Sequence, residues 1–160
     1  MVVTNFFINE QLKFLKHFRG TFSCDNLPDL ITNELNLFIV NLDVKSGPGT
    51  HFVLMEIKNS KCFYFDSLGE KLLNENIRSY LLYSNVNQTV SKSKQIQSID
   101  SVACGLFAMT ICTARCFNLK WNYILSFFSK TNLKRNETDN IIKLLKYISN
   151  RADYTKVFIK

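Results

Sequence analysis

The chain has 160 residues, a hydrophobic content of 46% and a formal net charge of +7, which fit a single domain over residues 1–160 with an adequate core. With 14 Phe, 5 Gly and 2 Pro, the composition excludes long disordered stretches, and no apolar run predicts a membrane span. The first residues do not resemble a signal peptide and the Cys count of 5 is odd, so we expect an intracellular protein with reduced thiols.

The first part of the chain predicts a helix followed by a buried strand. Apolar residues recur at helical spacing from Ile8 to Phe18, and Gly20 follows as a C-terminal stop. We therefore expect an amphipathic N-terminal helix with His17 as an ordinary surface residue. Leu35 to Leu42 is rich in β-branched and aromatic residues and is followed by a Gly/Pro turn cluster, which is typical of a buried strand.

The next segments predict a β-hairpin. Phe52 to Ile57 and Cys62 to Phe65 are strand-like, and the polar residues 58–61 between them form a connection of hairpin length. Together with Leu35 to Leu42, these strands suggest a three-stranded antiparallel core.

Beyond Gly69 the apolar period becomes helical from Leu72 to Leu81. A polar stretch comes next, and it predicts short strands near Gln88 to Val90 and Gln95 to Ile99. Val102 to Phe117 is apolar on nearly every face, as expected for a central buried helix.

Two helices are expected to close the chain. They run from about Trp121 to Phe128, with Trp121 as a core anchor, and from Glu137 to Ser149, with Asn136 as the N-cap. The fold class is therefore α+β, with an antiparallel sheet packed against a central buried helix.

A candidate nucleophile lies at the start of the apolar helix. Cys104 is expected there, where unpaired N–H groups and the helix dipole favour the thiolate. Gly105 removes a side chain next to the sulfur, which allows a substrate backbone to come close. Gln97 precedes Cys104 by seven residues, and its amide can donate to the oxygen of a tetrahedral intermediate alongside the Cys104 main-chain N–H.

A candidate base and its orienting carboxylate follow from the predicted hairpin. His51 begins one strand directly after a Gly-rich turn, and Asp66 ends the next strand. The start of one antiparallel strand lies beside the end of its partner, so the two side chains are expected to be neighbours. Asp66 can then fix the tautomer of His51 and stabilise its imidazolium.

The remaining cysteines have simpler interpretations. Cys112 and Cys116 lie four residues apart on one helical face, but without a further Cys or His pair we expect core packing and no metal site. We interpret Cys24 and Cys62 as structural as well.

Three segments resemble the adenain family of viral maturation proteases. They are residues 49–52 around His51, residues 62–69 around Asp66 and, most specifically, residues 97–107 from Gln97 to the Cys-Gly-Leu-Phe block. Residues 18–22 and 26–28 are also similar to the N-terminal region of adenain, and the resemblance covers Phe18 to about Phe117. The adenain family and the ubiquitin-like-protein proteases belong to one clan. Members of this clan share the chain order His, Asp or Glu, Gln, Cys.

The resemblance implies a papain-like cysteine protease architecture and four candidate catalytic residues. Carried over one by one, Cys104 is the nucleophile, His51 the general base and acid, Asp66 the orienting residue and Gln97 the oxyanion donor. The implied substrates are viral precursor (capsid or core) proteins cleaved during virion maturation. The implied location is the host cell interior, in the nucleus or a cytoplasmic virus factory, and the virion, with no membrane partner.

Four departures from the family pattern bear on these expectations. Phe52 stands where adenain usually has Trp, Asp66 replaces its usual Glu, and the chain is shorter towards the C-terminus. Residues 83–94 contain no Cys, so activation by a disulfide-linked viral peptide is not expected. No cofactor is required for the chemistry, whereas activation by DNA or by a peptide bound without a disulfide is compatible with the sequence.

Two other functions remain open at this point. A protease that removes ubiquitin-like modifiers from host proteins would use the same four residues. A catalytically idle DNA- or capsid-binding module would use the net positive charge, which attracts polyanions, although scattered lysines favour a merely solvated surface. We expect a monomer.

Overall fold

The computed structural model of the protein describes residues 3–128 and 133–151, so the expected domain of residues 1–160 extends beyond the described part. The fold is a five-stranded mixed sheet with helices on both faces. None of the described helices is long and apolar enough to cross a membrane. The elements, in chain order, are α1 (Asn5–Leu12), β1 (Phe18–Ser23), β2 (Asn36–Asn41), β3 (Phe52–Lys58), β4 (Lys61–Phe65), α2 (Glu75–Tyr83), β5 (Gln88–Ser91), α3 (Cys104–Cys116), α4 (Trp121–Ser126) and α5 (Leu133–Arg151).

The sheet follows chain order from β1 to β5. Strands β2, β3 and β4 are antiparallel, as predicted, whereas the edge strands β1 and β5 run parallel to their neighbours. The expectation of a three-stranded antiparallel core is therefore correct for the centre and misses two parallel edges. The hairpin between β3 and β4 turns through Asn59 and Ser60, both with positive φ, the backbone that matches strand twist in a two-residue turn.

The interior strand β2 is buried at every position because both faces of the sheet are covered. Leu37 and Ile39 pack in the core under α1, α3, α4 and α5. Phe38 and Val40 face the other way, into the smaller core under α2. The continuous apolar run in the sequence thus reflects a sheet with two covered faces.

The N-terminal helix is shorter than predicted. It ends at Leu12, and the chain reaches β1 through a turn in which His17 has φ 74° and is half-buried. Gly20, expected as a helix stop, lies within β1 at φ +126°, where the register shifts by one residue. Leu15 is buried and Phe18 packs against the same core. The apolar spacing therefore predicted the burial of these residues correctly, but their backbone is not helical.

Other boundaries also differ. Helix α2 begins only at Glu75, since the side chain of Asn74 caps it by accepting the N–H of Ile77. Residues 88–91 form β5, as predicted, but residues 95–99 contribute a single bridge, Leu68 to Gln95. Asn136, expected as an N-cap, lies inside α5, which starts at Leu133.

Helix α3 is the predicted central helix, and it packs on β2 and β3. A buried ion pair joins it to β3. Glu56 of β3 is 4% exposed and accepts hydrogen bonds from Arg115 of α3 at 2.5 and 2.7 Å and from the indole N–H of Trp121 at 3.1 Å. Trp121 is a core residue, as predicted.

The cysteines outside the candidate site pack as predicted. Cys24, Cys62 and Cys112 are buried, Cys116 is half-buried, and all are free thiols. Within residues 3–128 and 133–151, no group of three or more potential ligands could hold a metal ion.

Candidate active site

Cys104 is the first residue of α3, as the sequence suggested, and it is half-buried. The N-cap residue Ala103 makes no side-chain capping bond, so the positive end of the helix dipole acts on the sulfur without a competing side-chain acceptor from that position. The main-chain N–H groups of Phe52 and Gly105 also donate to the sulfur. The sulfur therefore lies where negative charge is stabilised from several directions.

His51 and Asp66 meet at one end of the central sheet, as the predicted hairpin requires. His51 directly precedes β3 and Asp66 directly follows β4, and the two strands pair antiparallel. Nε2 of His51 lies 2.9 Å from Oδ1 of Asp66. That contact leaves Nδ1 of His51 for the thiol, and the ring also forms a hydrogen bond with Cys104. The three residues thus form a Cys–His–Asp chain.

Asp66 is held rigidly for its role. The residue is 1% exposed, and its Oδ1 also accepts the main-chain N–H of Leu68 at 2.7 Å. Its own N–H donates to Oγ of Ser93 at 3.1 Å. A carboxylate fixed in this way can orient the imidazole without a large loss of side-chain entropy when the substrate binds.

The pKa values of Cys104 and His51 move towards an ion pair. Burial lowers the pKa of His51, but hydrogen bonds and charge interactions with Asp66 and Cys104 outweigh burial and raise it to about 9. Burial raises the pKa of Cys104, but its hydrogen bonds with His51 and with two main-chain N–H groups hold the pKa below the ordinary thiol value. Both shifts therefore favour the thiolate–imidazolium form of the pair.

Gln97 lies in the same cleft and is 2% exposed. Its Nε2 donates to the main-chain oxygen of Ser101 at 2.7 Å, and its Oε1 accepts from Oγ of Ser67 at 2.6 Å. An amide NH2 has two donor hydrogens, so one of them remains after the bond to Ser101. This second hydrogen is the one that the predicted oxyanion role needs.

The cleft has a volume of about 490 Å³ and is lined by three of the four predicted residues, His51, Gln97 and Cys104. The fourth, Asp66, is buried behind His51. Gly105 also lines it, with α1 close by. A Cβ atom at Gly105 would lie 2.8 Å from Cγ1 of Val3 and 3.3 Å from the ring of Phe52. The glycine therefore leaves space in the cleft beside the sulfur. Packing also requires it, because a Cβ atom would be too close to Val3.

Sequence analysis missed several residues of the cleft. The N-terminal residues Val3, Thr4 and Asn5 line it, as does Asn41 at the end of β2, and Ser67 supports Gln97. These residues come from segments whose contacts with the cleft depend on tertiary packing. Only Ser67 carried a local signal, since it directly follows Asp66 in a segment already singled out.

The outer edge of the cleft is apolar. Ile99 is 81% exposed and Val102 is 68% exposed, and both line the cleft between Gln97 and Cys104. Large apolar side chains at such exposure are often binding surfaces when they border a polar site. The two side chains form an apolar border beside the polar centre of the cleft.

Comparisons with known proteins give only a distant likeness of fold. No protein-family model matches the chain, and no curated protein matches it in sequence. The chain is similar to the crystal structure of the ASFV pS273R protease, at 18% identity and a TM-score of 0.49, over 82% of this chain and 64% of that one. It is also similar to an AvrA deletion variant with IP6 and CoA, at 14% identity and a TM-score of 0.44, over 86% of this chain and 52% of that one. The chain thus spans less than two thirds of the length of either.

Proposed function

We propose that this protein is a cysteine endopeptidase that uses Cys104 as its nucleophile. The observation that carries the proposal is the Cys104–His51–Asp66 chain at a helix N-terminus, with the Gln97 amide in the same cleft. Thiolate and imidazolium are poised beside a donor for a developing oxyanion, which is the arrangement that acyl transfer requires.

The proposed reaction begins when the Cys104 thiolate attacks the carbonyl carbon of a peptide bond. A C–S bond forms and the carbonyl π electrons move to oxygen, which accepts hydrogen bonds from Gln97 and from the Cys104 main chain. The C–N bond then breaks as His51 gives its proton to the leaving amine, and a thioester remains. In the second half, neutral His51 takes a proton from water, which attacks the thioester, and the C–S bond breaks to return the thiolate and release the acid.

The first test is alkylation of the folded protein by iodoacetamide across pH, with each of the five Cys read by peptide mass. We expect one fast site, Cys104, that reacts well below the pH at which an ordinary thiol ionises. His51→Ala should slow this site, whereas His17→Ala, the matched change at the second histidine, should not. Uniformly slow labelling of all five thiols in the wild type would contradict the Cys–His pair.

The second test is turnover of peptide substrates. Cys104→Ala and His51→Ala should abolish it, while Gln97→Ala should lower kcat by about a hundredfold with KM little changed. An unchanged kcat in Gln97→Ala would remove the oxyanion assignment.

We propose viral precursor proteins as the substrates, on the basis of the motif resemblance to adenain and the open cleft with an apolar edge at Ile99 and Val102. Such cleavage belongs to virion maturation, in the host cell interior and the virion. The alternative of ubiquitin-like substrates is tested by a diglycine-tailed substrate. Faster cleavage of that substrate than of precursor-derived peptides would favour the alternative.

DNA and noncovalently bound peptides are proposed as candidate activators, since the net charge of +7 attracts polyanions. The proposed chemistry needs only side-chain and main-chain groups of this chain, which we propose acts as a monomer. Adding DNA during alkylation tests the activation. A rise in the rate at Cys104 that disappears with added salt would support activation, whereas salt-dependent DNA binding without any thiol reactivity would favour an idle binding module.

A further inference from the structure

We propose that Ser67 is a positioning residue that fixes the side-chain amide of Gln97 for oxyanion stabilisation. This inference rests on the proposed function, because the role of Gln97 belongs to that reaction. Ser67 is 1% exposed and Gln97 is 2% exposed. Neither side chain can therefore exchange its partner for bulk water without a local opening of the structure.

The hydrogen bonds at Gln97 determine which way its amide faces. The main-chain oxygen of Ser101 can only accept, so the amide group 2.7 Å away must be Nε2. Oε1 then faces Ser67, and the hydroxyl of Ser67, 2.6 Å away, must donate to it. The reversed amide would place two acceptors together at Ser101. The Ser101 carbonyl thus selects this orientation of the Gln97 amide, and the Ser67 hydroxyl stabilises it by donating to Oε1. The second N–H hydrogen of Nε2 is left for the substrate.

The main chain of Ser67 holds the same residue. Its carbonyl oxygen accepts the N–H of Gln97 at 3.1 Å and the N–H of Ile96 at 2.9 Å. Both the backbone and the side chain of Gln97 are therefore hydrogen-bonded to Ser67. A rotation of the Gln97 side chain would break the hydroxyl bond while the backbone bonds remained.

Asp66, the preceding residue, orients His51 through its carboxylate. Two consecutive residues after β4 thus serve the two halves of the site, one through the imidazole and the other through the amide. Because Asp66 and Ser67 are adjacent in the chain, they cannot move far relative to each other. A substrate held between Gln97 and His51 would therefore meet the amide and the imidazole at a fixed separation. The Ser67 hydroxyl bonds to Gln97. It is not among the groups that lower the pKa of Cys104.

The kinetic test compares Ser67→Ala with the wild type. We expect kcat to fall by about tenfold with KM little changed, a smaller loss than for Gln97→Ala, because the amide remains but samples other orientations. In a Gln97→Ala background, Ser67→Ala should have no further effect on kcat. Ser67→Thr, which keeps the hydroxyl, should restore most of the rate. The pH profile of Cys104 alkylation should be unchanged in Ser67→Ala.

Thr110→Val is the matched control. Thr110 is 4% exposed and its hydroxyl donates to the main-chain oxygen of Leu106 within α3. This variant also deletes a buried hydroxyl, on the helix that carries Cys104, but touches no part of the Gln97 network. It should leave kcat unchanged. Equal losses of kcat in Ser67→Ala and Thr110→Val would show a general packing effect and overturn the assignment.

A spectroscopic test keeps the inference separate from the proposed function. The side-chain amide signals of Gln97 are assigned in ¹⁵N-labelled protein by their loss in Gln97→Ala. In the wild type these hydrogens should exchange slowly with solvent, and Ser67→Ala should speed their exchange by about tenfold or more, while Thr110→Val should not. Unchanged exchange in Ser67→Ala would overturn the positioning role. Absence of peptide turnover in the wild type, with the exchange effect present, would instead refute the proposed function.

Discussion

The ion pair between β3 and α3 allows a strong prediction about stability. In Arg115→Met, the carboxylate of Glu56 would remain 95% or more buried while losing the two hydrogen bonds that Arg115 donates at 2.5 and 2.7 Å. Only the indole N–H of Trp121 would still serve it. Removing one partner of a buried pair typically costs about 3–5 kcal/mol, because the charge left behind is uncompensated.

That loss is a large fraction of the total stability, which is about 5–15 kcal/mol for a domain. For a chain of this size it corresponds to a fall in Tm of about 10 °C. The matched control is Arg78→Met, which breaks a 2.9 Å pair with Glu75 whose side chains are 54% and 79% exposed. Since exposed pairs are screened by water, Arg78→Met should cost less than about 1 kcal/mol.

The assay is urea unfolding followed by the fluorescence of Trp121, the only tryptophan of the chain, with circular dichroism as a second probe. The double variant Glu56→Leu with Arg115→Met is the sharper test. It removes both charges, so it should be more stable than Arg115→Met alone even though it changes more atoms. A cost below about 1 kcal/mol for Arg115→Met, or a double variant less stable than the single one, would refute the reasoning about the buried charge.

Three further predictions concern the cleft. The pH profile of kcat/KM should fall on the acid side, at a pH below the ordinary thiol pKa, as the Cys104 thiolate takes up a proton. It should fall on the basic side near pH 9, where His51 loses the proton that it gives to the leaving amine. A basic limb near pH 6.5 would contradict the raised pKa of His51. Gly105→Ala should destabilise the protein by about 1–3 kcal/mol in urea unfolding, because its Cβ would lie 2.8 Å from Cγ1 of Val3, and Val3→Ala in the same chain should recover part of this loss. Ile99→Ser should raise KM for apolar peptide substrates by about threefold to tenfold with kcat little changed, measured by steady-state kinetics, since the side chain is 81% exposed at the cleft edge; an unchanged KM would show that the substrate does not contact this edge.

The centre of the fold was predictable because its physics is local. β2, β3 and β4 are predominantly apolar segments separated by turn residues. The two-residue turn at Asn59 and Ser60 allows only antiparallel pairing of β3 with β4. Helix α3 is apolar on most faces because it packs in the interior of the protein. In each case the signal lies within one short segment, so no knowledge of distant contacts is needed.

The edges of the sheet were not predictable in the same way. β1 and β5 pair parallel to their neighbours, and parallel pairing depends on long connections that leave no local turn signal. The run from Ile8 to Phe18 keeps a helical spacing although the helix ends at Leu12. Periodicity reports which side chains are buried, and a turn that returns the chain to the same core produces the same spacing.

The candidate site shows the same division. Cys104, His51, Asp66 and Gln97 were singled out by order and local context, and the structure brings them together around one cleft. Most of the contacts that support the fold around them are different, because they join segments that are distant in sequence. Glu56 and Arg115 lie 59 residues apart in sequence, so nothing near either residue identifies its partner.

The buried polar side chains explain how the site keeps its geometry. Asp66, Ser67 and Gln97 are each at most 2% exposed, and each has a hydrogen-bond partner at the site. Apolar side chains of similar size could fill these positions and pack well, but they would tolerate several orientations, whereas a buried polar group is stable only when its partner is correctly placed. Glu56 applies the same constraint between β3, which begins next to His51, and α3, which begins at Cys104. The Glu56–Arg115 pair thus ties the helix that carries Cys104 to the strand that follows His51, and the desolvation of its two charges is the cost of this link.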